Sequence, residues 1–181
     1  MSQKRWLCSD HHFFHQRILE FQSEQRPFDT LEEMHEVIIE RHNAVVNPKD
    51  IVFFGGDVVM GGYKNLHIVN RLNGIKKLVA GNHDNILSHH AEYAAVFDSV
   101  EHIREFGHGF VIFQHYPVHT CQLTKRYRAC VHGHMHSNYV LDENGDRDMR
   151  YINICLDAND LTPISWASIH DHINKHTDRH E

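Results

Sequence analysis

The sequence predicts a mixed α/β fold. Three observations carry that expectation. Short apolar runs of β character alternate with stretches of helical periodicity, and no repeat, low-complexity tract or Pro/Gly/Ser-rich linker interrupts them. A length of 181 residues with 41% hydrophobic content is enough to bury one sizeable core without disulfides or oligomerisation. A single domain over residues 1–181 is expected.

The elements follow in order. Leu7-Cys8-Ser9 is the first strand-like run, after which residues 11–21 pass into a loop. Thr30-Leu31-Glu32-Glu33 opens a helix with a capping box, in which Thr30 accepts from the Glu33 amide while Glu33 reaches back. Leu31, Met34, Ile38 and Val45 hold roughly one face of that helix, and Asn47-Pro48 stops it. Ile51-Val52-Phe53-Phe54 reads as a second strand. Leu66, Val69 and Leu72 are spaced for one buried helical face over residues 65–72, which Asn73-Gly74 ends. Leu78-Val79-Ala80, Val111-Ile112-Phe113-Gln114 and Ala129-Cys130-Val131-His132 are further strands. Tyr139-Val140-Leu141 and Tyr151-Ile152-Asn153-Ile154 flank the turn-rich Asp142-Glu143-Asn144-Gly145-Asp146 and are expected to form a hairpin. Trp166, Ile169 and Ile173 form one apolar stripe of a closing helix that packs on the sheet.

Charge and composition exclude several classes of partner. The net charge of −6 disfavours a broad electrostatic grip on duplex nucleic acid. The local exception is Lys125-Arg126-Tyr127-Arg128, either a solvated loop or a phosphate-facing rim in which Arg126 and Arg128 meet substrate. No apolar run approaches the roughly 18 residues a membrane span needs, and residues 1–5 lead straight into a strand, so a cytoplasmic protein is expected. Cys8, Cys121, Cys130 and Cys155 show no paired spacing and read as reduced thiols, three of them in the core.

Five short segments rich in His, Asp and Asn fall at the ends of the apolar runs: Asp10-His11-His12, Gly56-Asp57, Gly81-Asn82-His83-Asp84, His115 and Gly133-His134-Met135-His136. Strand ends are where α/β proteins gather side chains from distant parts of the chain, so together these segments read as one metal site. Imidazole nitrogen and carboxylate oxygen suit Mn, Fe, Zn, Co or Ni, and no segment contains a Cys that would select a softer or structural ion. With 20 His in the chain a lone His carries little weight, so residues such as His11, His35 and His42 default to solvated or supporting roles. His132 is read as a core imidazole satisfied by one hydrogen bond. His15, three residues after His12, is close enough to reach a substrate phosphate.

In this order and spacing the segments resemble those of the calcineurin-like metallophosphoesterases, whose pattern reads D-x-H, G-D, G-N-H-D/E, H and G-H-x-H. The match is complete over residues 10–136. The resemblance implies two packed mixed β-sheets flanked by helices, a four-layer sandwich with the ligands at one edge. It also implies two divalent metals, Mn first. Asp10, His12 and His136 would hold one and Asn82, His115 and His134 the other, with Asp57 bridging them and letting the cations sit roughly 3.5–4 Å apart. His83 would act as general acid or electrostatic stabiliser, oriented by Asp84, with Asn82 also facing the substrate. The implied reaction is hydrolysis of a small phosphodiester, possibly nucleotide-derived, or of a phosphomonoester, by metal-bound hydroxide. The apolar Val58-Val59-Met60 after Asp57 departs from the more polar segment of many relatives, so substrate contacts do not carry over there. The alternative is a scaffold that keeps the fold and has lost catalysis. Such a protein is expected to lack some of these His residues, and none is missing.

Overall fold

Alternation of side chains along the strands builds the molecule. In the computed structural model, which describes residues 2–107, 110–123 and 126–177, strands β1 (Arg5–Cys8), β2 (Ile51–Phe54), β3 (Ile75–Val79) and β4 (Ser99–Glu101) run parallel in register, and β9 (Ile164–Ser165) adds antiparallel to β1. A second sheet has the order β5 (Ile103–Phe106), β6 (Val111–Gln114), β7 (Ala129–His132) and β8 (Tyr151–Asn153), antiparallel only between β5 and β6. Both sheets are therefore mixed.

Period-two alternation gives each strand two apolar faces. Leu7, Phe53 and Val79 of the first sheet meet Val111, Phe113, Ala129, Val131 and Ile152 of the second in one buried layer. The alternate residues Cys8, Val52, Phe54 and Leu78 face outward, against α2 (Leu31–Val45), α3 (Ile86–Ala94) and a 3-10 helix over Tyr63–Arg71. On the outer side of the second sheet Ile112, Cys130 and Tyr151 are covered by Val118, Leu123, Tyr127 and Val140. The last helix, α4 (Trp166–His176), inserts Ile169 and Ile173 into the inter-sheet layer and sets Trp166 on Phe106. Each such buried Leu, Ile or Phe contributes about 1.5–3 kcal/mol of transfer free energy. The expected architecture, two packed mixed sheets flanked by helices, is what the chain forms.

The capping box is present: the Thr30 hydroxyl accepts from the Glu33 amide, while the Glu33 carboxylate accepts from Asp29. The expected face of α2 is shifted, with His35, Ile39 and His42 buried beside Met34 and Ile38, and Val45 only half-buried. Residues 65–72 are helical as expected but wound as a 3-10 helix. The expected hairpin is corrected. Leu141 makes a single antiparallel bridge with Arg147 across the turn, whereas β8 pairs in parallel with β7. A short helix, α1 (Ile18–Phe21), stands where the loop was expected. Cys8, Cys130 and Cys155 are buried and Cys121 is exposed, all as free thiols. No helix among the described residues is long and apolar enough to cross a membrane.

Candidate metal centre

Because β1, β2 and β3 run parallel, their carboxyl ends lie on one edge of the first sheet, and β6 and β7 bring their own carboxyl ends from the second. The five segments leave from these ends. Asp10, His12 and His136 place ligand atoms within 4.8 Å of one another, and so do Asp57, His115 and His134. The groups adjoin: the Asp57 Oδ2 lies 3.8 Å from His12 Nε2 and 3.4 Å from His115 Nε2. Asn82 joins the second group through its Oδ1, 3.0 Å from His115 Nε2.

The backbone is bent to achieve this. Asp10, His12, Asp57, His134 and His136 all have left-handed φ values, between 49° and 67°. For non-glycine residues that conformation costs about 1–2 kcal/mol each, and such strain collects where side chains must be re-aimed for function. The glycines in the motifs answer to close approach. A Cβ at Gly81 would lie 2.2 Å from the Asp57 Oδ1, and one at Gly133 would lie 2.5 Å from the Asp10 Oδ2.

Hydrogen bonds hold only part of the candidate ligand set. The Asp10 Oδ2 accepts from the His134 amide and from the Cys155 thiol, at 2.9 and 3.1 Å. Its Oδ1 is buried without a hydrogen-bond partner among the described residues, as are both ring nitrogens of His12. Buried polar atoms are rarely left unpaired, and a cluster of orphaned carboxylate and imidazole atoms fits a divalent cation. His115 donates from Nδ1 to the Gly55 carbonyl, which leaves Nε2 facing Asn82 and Asp57.

Electrostatics points the same way. Burial opposes a charge on His115, yet the adjacent Asp57 and Asp10 carboxylates push its pKa up to about 9. Burial would raise Asp10 and Asp57 as well, but their imidazole neighbours, His12 and His115 for Asp10 and His115 for Asp57, hold both below the usual carboxylate range. A pocket that stabilises both carboxylates and draws a proton onto His115 favours a cation between them.

The remaining candidates are placed as follows. His83 is 44% exposed, with its Nε2 4.0 Å from the Asp57 Oδ2, and its amide donates to the Asp57 Oδ1. Asp84 does not accept from the His83 ring. Its buried carboxylate accepts from the amides of Asp57, Val58 and Gly81, at 2.7, 3.2 and 2.9 Å, clamping the turn that carries Asp57. Burial raises the Asp84 pKa against those three bonds. His15 is half-buried, its ring 5.3 Å from that of His12. Burial lowers its pKa, followed by the nearby His12 and His83. Arg126 is exposed and paired with Glu105, while Arg128 donates to the Thr177 carbonyl at the end of α4. Lys125 of the same cluster lies outside the described residues. His132 is buried with Nδ1 on the Gly133 carbonyl. Contrary to expectation His11, His35 and His42 are core residues: His11 stacks on Phe54, His35 accepts from the Phe14 amide, and His42 bonds the Asn73 carbonyl.

Three residues of the site carried no sequence signal. Arg26 is fully buried, bonds both oxygens of Asp157 and reaches the carbonyls of Asp10 and His11. Asp157 accepts in turn from His136 Nδ1 at 2.8 Å, and Cys155 touches Asp10. Burial acts against the Asp157 anion, but His136 and Arg26 hold its pKa down to about 2. Arg26 and Asp157 stand 131 positions apart, and no motif spacing announces such a pair.

Known proteins resemble the chain along nearly its whole length. The chain is 32% identical over 171 residues to an uncharacterized protein of Methanocaldococcus jannaschii, an alignment covering 90% of this chain and 87% of that one. The crystal structure of a protein of unknown function from Aquifex aeolicus superposes with a TM-score of 0.72 at 26% identity, covering 94% of this chain and 99% of that one. The family model of the calcineurin-like phosphoesterases matches residues 4–177, nearly the whole chain and all five segments. That extent of match, on a chain whose His and Asp side chains converge at one sheet edge, makes this protein a member of the calcineurin-like phosphoesterase family.

Proposed function

We propose that the chain acts as a single-domain metal-dependent phosphoric ester hydrolase, cleaving small phosphodiesters, nucleotide-derived ones among them, and secondarily phosphomonoesters. One observation carries the reading: two His/Asp groups adjoin at Asp57, whose Oδ2 lies within 3.8 Å of imidazoles from both. In this reading Asp10, His12 and His136 would hold one divalent ion and Asn82, His115 and His134 a second, with Asp57 available to both and Mn the first choice over Fe, Zn, Ni and Co. When bound, such a pair supplies Lewis acidity toward a phosphoryl oxygen and a water activated near neutral pH.

The chain's own residues do the rest. Asp57 is fixed by the His83 amide on one oxygen and through Asp84 at its backbone, so its second oxygen stays aimed at the imidazoles. His83, exposed at the mouth, holds a proton toward the leaving oxygen. His15 stands beside His12 at the same mouth and contacts the ester phosphate. We prefer it to Arg126 and Arg128 for that contact, because Glu105 and the Thr177 carbonyl engage those guanidiniums.

A panel of nitrophenyl phosphodiesters, nitrophenyl phosphate and cyclic and linear nucleotides, run after chelation and re-addition of Mn, Ni, Co, Zn or Mg, tests the reading. Metal-restored hydrolysis that Asp57→Asn abolishes is expected. Full metal binding with no hydrolysis of any ester would overturn it.

A further inference from the structure

We propose that the buried Arg26–Asp157 pair is the positioning device of one half of the centre: it fixes the tautomer of His136 and the backbone that aims Asp10 and His12, and so sets chiefly the affinity of that half. The inference rests on reading Asp10, His12 and His136 as one metal site.

The bonds form a closed set. The Arg26 guanidinium donates to both Asp157 carboxylate oxygens, at 2.6 and 2.9 Å, and to the carbonyls of His11 and Asp10, at 2.8 and 2.6 Å. Both side chains have essentially no exposure. A desolvated ion pair is retained at a cost, and it is favourable only when geometry and further hydrogen bonds satisfy it, as these do. A carboxylate facing a guanidinium only accepts, so the His136 Nδ1 must be the protonated nitrogen of its bond to Asp157, and the Nε2 lone pair is left for a metal. At the other end, Arg26 holds the carbonyls on either side of the His11 amide, within a segment where Asp10 and His12 both have φ above 50°. That turn throws Asp10 and His12 into the site while His11 goes into the core. With the Asp10 Oδ2 taken by the His134 amide and the Cys155 thiol, Oδ1 is what remains to bind.

The second group has anchors of its own beside one shared contact, the His134 amide on the Asp10 Oδ2. His115 is set by the Gly55 carbonyl, and the turn carrying Asp57 is clamped by Asp84. The two halves therefore rest largely on different supports, and loss of Arg26–Asp157 should be felt by one ion far more than by the other.

The test uses the full chain, stripped of metal and then titrated with Co(II) or Mn(II). Nitrogen-15 NMR of the metal-free wild type should show His136 protonated at Nδ1; an Nε2-protonated ring would overturn the proposal without any variant. Asp157→Asn, and the paired change Arg26→Met with Asp157→Leu that removes both buried charges together, should leave His136 in mixed tautomers. They should weaken binding at the Asp10–His12–His136 half about 10–100-fold, the usual effect of removing a support of a ligating imidazole, with the other half within about twofold. Equal weakening of both halves, or of neither, would make the pair a structural strut. A wild type that binds both ions and hydrolyses nothing would sink the proposed function while leaving this inference standing.

Discussion

His83 is where single-residue chemistry is most exposed to test. Its side chain is exposed, and its ring is held by the 4.0 Å approach to the Asp57 Oδ2 and an edge-on contact with the His12 ring. A group so placed contributes little to folding, so His83→Ala should leave metal content and melting temperature nearly unchanged. Turnover of an ester with a poor leaving group should fall by about 10²–10⁴-fold, the range for loss of general acid catalysis. A nitrophenyl ester, whose leaving oxygen needs little protonation, should lose much less. Equal losses on both esters, read as kcat rather than KM, would assign His83 to positioning the phosphate instead. The Asp84 side chain, which clamps backbone amides rather than the His83 ring, predicts the opposite pattern when removed: the Asp57 turn itself should loosen.

At the scale of elements, legibility followed burial on both sides. The runs of β1, β2, β6 and β7 are readable because each strand is covered on two faces over most of its length and so is largely apolar, and their ends locate the motifs. Strands β4 and β5 carry no such signal, because Ser99-Val100-Glu101 and Ile103-Arg104-Glu105-Phe106 lie at sheet edges and mix polar with apolar residues. Helix α3 has no side-chain cap and is kinked at His89, which erases both its start signal and its period. The turn signal at residues 142–146 was real, but tertiary pairing with β7 claimed Tyr151-Ile152-Asn153. Within α2 the sequence could not distinguish a core imidazole from a surface one, and His42 shows what that costs. Burial, opposed only by the Asn73 carbonyl, lowers its pKa to about 4. The neutral ring is thus favoured by folding. Stability is fully present above the unfolded value near 6.5 and is lost as pH falls from there through 4, by on the order of 3 kcal/mol. In urea titrations of the metal-free chain, His42→Gln, which cannot take up the proton, should narrow its stability deficit to the wild type over that window. A deficit constant from pH 7 to 4 would mean that His42 protonates as freely folded as unfolded.

The whole molecule is two sheets whose shared edge carries the site. Asp10, Asp57 and Asn82 come from the ends of β1, β2 and β3, and His115, His134 and His136 from the ends of β6 and β7, so any ion held by either group ties one sheet to the other. The unfolded chain has no such arrangement to offer, and metal binding therefore acts as folding free energy. At an ion concentration about 100-fold above Kd the stabilisation is about 2.7 kcal/mol per site, which for a chain of this size corresponds to a melting temperature about 5–10 °C higher. Mn added to the chelated protein should produce that rise and excess chelator should reverse it. Asp57→Asn, which touches both groups, should lose most of the rise. His136→Ala should lose the part that belongs to its own group, so the melting curve of that variant should still respond to Mn. If Mn raises the melting temperature of the Asp57→Asn variant as much as that of the wild type, the ions bind elsewhere on the surface, and the edge shared by the two sheets is not the metal centre.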